Sequence, residues 1–268
     1  MRRSAGLHDG YAPGMSLMVL LTPWYRRGPA RTGREDHPGS TAATRILDYD
    51  APGIRHLVRS SQRLAGEPGE LATLASAHAI IRDEVRPVYA LNEATPTSRT
   101  LARGFGSCSQ RLAILESVAR AIGVGTRVRA LLVDRSFWYP RFPRIGGFLP
   151  DQIVLAWPEF LVDDWRSSSE LFGPIGCRGG HPFTNTGTET LFEAAGRCAV
   201  DWDGRETGGA YDLSRFVVAD HGYFGSRDEL FACLGQTLCA PARVLADPVL
   251  RRFAAGTSPE DGVVSART

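Results

Sequence analysis

The chain has 268 residues, is 43% hydrophobic and carries a formal charge of only +2, so it can bury a real core in one large or two small domains. All 31 basic residues are arginine, which excludes Schiff-base chemistry on a lysine. The arginines are interspersed with 29 acids and form no basic stripe, so nucleic acid is not an expected partner.

Near the start, Met15–Leu21 is apolar but too short to span a bilayer, and Pro23 and Trp24 follow it; a strand or packing segment is expected, with no membrane association. Residues 26–44 are polar, rich in Gly and Pro, and aperiodic, as a linker is. The chain is therefore divided into a flexible segment over 1–45, a core over 46–175, an extension packed on it over 176–254 and a disordered tail over 255–268.

Pro52 opens a predicted helix that runs to Gly66, with Ile54, Leu57, Val58 and Leu64 on one face. A second runs from about Pro68 to Arg86, where Leu71, Leu74, His78, Ile81 and Val85 recur at helical spacing and Pro87 ends the run. His78 lies on that apolar stripe and reads as a core histidine. Thr97 or Ser98 is positioned to cap a short helix ending at Gly104.

The sequence Gly104-Phe105-Gly106-Ser107-Cys108 then runs into a helix with Leu112, Leu115, Val118, Ala119 and Ile122 on its buried face. A thiol at the head of a helix sits in the field of unpaired backbone N–H groups, which favours thiolate and makes sulfur a usable nucleophile. Beyond Gly125 the period changes to that of strands, over 127–134 and again over 153–162, with Pro158 at a bulge or edge and a turn at Asp163-Asp164 into Trp165. Between the strands lies an aromatic loop, Phe137 to Phe142. A Gly-rich loop is expected over 174–188, and helices over 190–200 and 226–234. The five cysteines, Cys108, Cys177, Cys198, Cys233 and Cys239, are widely spaced with no C-x-x-C, so neither a disulfide framework nor a zinc site is expected. Cys198 and Cys233 fall on apolar helix faces.

This order of elements, with Gly106-Ser107-Cys108, then Val118-Ala119-Arg120-Ala121-Ile122-Gly123-Val124-Gly125-Thr126-Arg127-Val128, then Leu155-Ala156-Trp157-Pro158-Glu159 and a short hairpin to Trp165, resembles the transglutaminase-like, papain-related cysteine superfamily over about residues 67–172. The resemblance implies an α+β fold: N-terminal helices, including the nucleophile helix, packed on an antiparallel sheet, plus a C-terminal helical extension. It also implies a Cys-His-Asp triad, and here the chain departs. Leu155 stands where the family has its histidine, and Ser169, with Glu170 beside it, where the family has its acid.

Two readings follow. In one, a rearranged site keeps Cys108 as nucleophile, with Asp134 to orient an imidazole supplied by His181 or His221. Gln152 would donate to an oxyanion, and Trp138, Tyr139 and Trp157 would line the substrate. The chain is then a cytoplasmic acyl-transfer or hydrolytic enzyme working through an acyl-thioester, without metal or cofactor. Its substrate is an acyl chain or a peptide, with a carrier protein as partner where the acyl chain is carrier-bound, as in natural-product pathways. In the other, the module binds a ligand or partner without chemistry, and Cys108 is a small inert residue. No oligomeric state follows from either.

Overall fold

The computed structural model describes residues 33–142, 149–173, 182–186, 189–204 and 211–252. The apolar run at 15–21, most of the loop at 174–188 with Cys177 and His181, and the tail at 255–268 fall outside them.

The elements in chain order are α1 (Pro52–Ala65), α2 (Glu70–Glu84), β1 (Arg86–Pro87), α3 (Thr97–Arg103), β2 (Phe105–Gly106), α4 (Cys108–Ala121), β3 (Thr126–Asp134), β4 (Gln152–Val162), β5 (Asp164–Ser167), α5 (Leu191–Arg197), β6 (Val200–Asp201), β7 (Tyr211–Asp212), β8 (Val217–Phe224), α6 (Arg227–Leu234) and α7 (Ala240–Leu250). The fold is α+β around a four-stranded antiparallel sheet in the order β5-β4-β3-β8.

Alternation along the strands sends side chains to two different cores. Leu131, Val133, Leu155 and Trp157 join Ile54 and Leu57 of α1, Leu74 and Ile81 of α2, and Leu112, Leu115 and Val118 of α4. Val128, Ala130, Val154 and Ala156 face the other way, where Leu230 and Leu234 of α6 and Phe224 cover them. Each such fully buried aliphatic side chain contributes about 2 kcal/mol by leaving water, so the sheet is held from both faces.

Pro158 lies within β4, opposite Val128. Its carbonyl accepts from Ser168, on the side of β4 where pairing with β5 has just ended, so its missing N–H also faces that local edge.

Three sequence expectations are revised. Residues 33–44 are not a free linker: Gly33 and Arg34 donate to the carbonyls of His221 and Tyr223 on β8, and Ser40 pairs with Thr126 of β3. The cap of α3 is neither Thr97 nor Ser98. Asp48 accepts from the Ser98 N–H (2.9 Å) and the Thr97 hydroxyl (2.8 Å), closing that helix from 50 positions upstream.

The C-terminal part is also more than an extension, because β8 is an outer strand of the central sheet. That strand carries a bulge: between the pairs Arg129–Tyr223 and Leu131–Asp220, one β3 residue, Ala130, is matched by two on β8, His221 and Gly222. Gly222 has φ 74°, and a Cβ there would sit 2.5 Å from the Arg34 carbonyl oxygen.

Candidate active site

Cys108 is the first residue of α4, half-buried against the main core. The turn that delivers it is specified locally. Gly104 takes the left-handed conformation that ends α3, and a Cβ on Gly106 would come within 2.8 Å of Thr100. Ser107 then closes a capping box: its hydroxyl accepts from the Gln110 N–H at 3.1 Å, and the Gln110 side chain accepts from the Ser107 N–H at 3.1 Å. Helix geometry leaves the Cys108 and Ser109 N–H groups with no intrahelical carbonyl to bond.

Tyr89, on the segment between β1 and α3, is near enough to Cys108 to feel its charge. Burial raises its phenol to about 12; Arg141 opposes this and the neighbouring Cys108 adds to it. The hydroxyl is therefore a neutral donor at ordinary pH. Its ring packs against Phe142 at 4.5 Å between centroids, so the aromatic loop closes over this corner. Arg141 is held by Asn185 Oδ1 (3.0 Å) and the Glu189 carbonyl.

The other expected residues are spread more widely. Leu155 pairs with Leu131 and is 7% exposed in the hydrophobic cluster against which Cys108 packs, so hydrocarbon fills this stretch of strand. Asp134 and Gln152 meet as a cross-strand pair. Asp134 accepts from the Ser136 N–H at 2.8 Å, capping the single helical turn Arg135–Trp138, and the Ser136 side chain together with that N–H holds its carboxyl below the usual range. Trp138 is half-buried on this turn, edge-on to Phe137, Tyr139 is exposed, and Gln152 is exposed. Trp157 is 2% exposed and packs edge-on against Trp202, which makes it a core side chain and not a pocket wall.

His221 is buried on β8, and β3 lies between that strand and β4. His181 lies outside the described residues. His78 behaves as its place on the apolar stripe predicts: Nε2 lies 2.7 Å from the Phe192 carbonyl, the ring stacks on Phe192, and burial lowers its pKa to about 4. Ser169 and Glu170 are engaged locally, the first donating to the Val200 carbonyl and the second accepting from the Ser167 N–H.

Three contributors were not visible in the sequence as site residues: Tyr89, Glu93 and Arg227. Glu93 accepts from the Ser107 hydroxyl at 3.1 Å. Arg227 donates to the Ser109 hydroxyl at 2.7 Å and to Glu116 at 2.5 Å. One signal for Arg227 was available, since a cation in the first turn of a helix opposes the helix dipole and demands a partner. Tyr89 and Glu93 lie in an aperiodic stretch that carries no such signal.

Among the described residues, no group of three or more His, Cys, Asp and Glu side chains is placed to hold a metal, and no helix is long and apolar enough to cross a membrane. Comparisons with protein-family models, with curated proteins and with solved structures gave no match for the chain.

Proposed function

We propose that the chain is a transglutaminase-like, cysteine-dependent acyltransferase or hydrolase that works through an acyl-thioester on Cys108. The observation that carries this is the half-buried sulfur at the head of a capped 14-residue helix, with the neutral Tyr89 phenol within electrostatic reach. Unpaired first-turn N–H groups and a neutral phenol are the donors that stabilise a developing oxyanion.

The substitution at Leu155 narrows the substrate class. Cleaving an amide requires a general acid to protonate the departing amine, and Leu155 cannot provide one. A thioester departs as a thiolate and needs no such help. In the favoured step the Cys108 thiolate attacks the carbonyl carbon of an acyl thioester and a new S–C bond forms. The donor's C–S bond breaks, and the released thiolate takes its proton from solvent. Water, an amine or a carbon nucleophile then accepts the acyl group. A carrier-bound acyl chain has this chemistry.

The test is intact-protein mass spectrometry after incubation with a short acyl thioester and, in parallel, the matching amide. One acyl increment is expected on Cys108, absent in Cys108→Ala, with the thioester reacting at least about 100-fold faster than the amide. No increment, or labelling confined to Cys233 or Cys239, would overturn the proposal. It would favour the second reading, a binding module without chemistry, which the aliphatic surroundings of Leu155 and the local engagement of Asp134 also suit.

A further inference from the structure

The segment between β1 and α3 runs beneath the head of α4, and its single acid, Glu93, has its carboxyl enclosed there. Ser107 Oγ donates to Glu93 Oε1 at 3.1 Å while accepting from the Gln110 N–H. The segment is fastened from behind as well. The Glu93 N–H donates to Gln236 Oε1 (2.8 Å), Gln236 Nε2 to Asn92 Oδ1 (3.3 Å), and the Leu91 N–H to Asp247 Oδ1 of α7 (2.7 Å). From the front, Gln110 Nε2 donates to the Asn92 carbonyl at 2.8 Å. Residues 91–93 are thereby clamped between the cysteine turn and the C-terminal helices.

The cations nearby are committed elsewhere. Arg227 of α6 spends Nε on Glu116, Nη1 on Ser109 and Nη2 on the Ala156 carbonyl. Arg103 of α3 spends Nε on the Phe105 carbonyl and Nη2 on Gln110 Oε1, with Arg99 of its own helix, Asp247 of α7 and Arg251 just beyond α7 also near it. Neither guanidinium hydrogen-bonds Glu93, and Glu93 Oε2 is buried without a hydrogen-bond partner. An ionised carboxylate would leave a charged oxygen unpaired in the interior.

We propose that Glu93 is a positioning residue for Cys108: its carboxyl holds Ser107, and through it the first turn of α4 on which the sulfur rides. This inference rests on the reading of Cys108 as a nucleophile. Burial pushes the Glu93 carboxyl above the ordinary range, against the pull of Ser109, Arg227, Ser107 and Arg103. The proton is therefore held to higher pH than on an ordinary carboxyl, and its loss places a negative charge against the cysteine turn.

The test compares iodoacetamide labelling of Cys108 in the full chain for the wild type, Glu93→Ala and Glu93→Gln. Alanine, which removes the acceptor of Ser107, is expected to slow labelling about tenfold; glutamine, which keeps that acceptor, should restore the rate to within about threefold of wild type. The ratio of glutamine variant to wild type should rise with pH, because only the wild type acquires the charge. At a pH just above the ordinary carboxylate range, an infrared band of a protonated carboxyl should be present in the wild type and missing from Glu93→Gln. Equal labelling in all three proteins, or no such band lost, would overturn the assignment. If iodoacetamide leaves Cys108 unmodified in every protein, the nucleophile reading falls on its own. The infrared band, with amide exchange at Gln110 and Arg111 in Glu93→Ala, then decides the role of Glu93, and no change in either rejects it.

Discussion

His78 shows how a single side chain writes a pH dependence into the fold. Its ring is sealed against Phe192 and Phe172, and burial is the main reason its pKa falls from 6.5 to about 4, with the Phe192 carbonyl opposing. The unfolded chain takes up this proton near pH 6.5 and the folded chain only near pH 4. Stability is therefore unaffected by this group above 6.5 and declines as pH falls towards 4. The full loss corresponds to about 3 kcal/mol. Thermal melts should show that decline in the wild type, and His78→Gln, which keeps a donor for the Phe192 carbonyl, should flatten it. An unchanged acid limb in the variant would mean that other groups set it.

At the scale of elements, α4 and α6 are locked by the ion pair Arg227–Glu116, whose side chains are 1% and 0% exposed. Removing one partner strands the other's charge. Arg227→Met is expected to cost about 3–5 kcal/mol, and the double replacement Arg227→Met with Glu116→Leu to recover most of it, since well-packed hydrocarbon often replaces a buried pair without loss. Urea unfolding of the three proteins checks both halves. The same elements explain what could be read in advance. α1, α2, α4, β3 and β4 announced themselves because each carries many apolar residues at one period, the helices being closed by Gly or Pro. β8 did not, because its bulge breaks the alternation with residues that look like a turn. α7 did not either: Val244, Leu245 and Val249 are exposed, so its pattern reports no burial. Of the site, Cys108 and the aromatic loop were legible from a local motif. Tyr89 and Glu93 were not, because what places them is the path of an aperiodic segment across the head of another helix.

For the whole molecule, the sequence-based boundary near residue 175 does not divide the structure. One of the sheet's two outer strands, β8, and the helix covering one of its faces both come from beyond it. A chain ending at 175 would expose the edge of β3 and the apolar face formed by Val128, Ala130, Val154 and Ala156. It should therefore show no cooperative thermal transition, while a chain covering 33–252 should keep one; circular dichroism distinguishes these outcomes.

Arg127 of β3 offers a last consequence. Its guanidinium lies between the rings of Trp165 on β5 (4.2 Å) and Tyr223 on β8 (4.0 Å), while its nitrogens reach Glu159 and Asp36. Those two rings belong to opposite rims of the sheet, so one flat cation acts as a crossbar between them. Peeling either rim away costs it its stacking on that shared guanidinium, so both edges of the sheet are fastened to one side chain of β3.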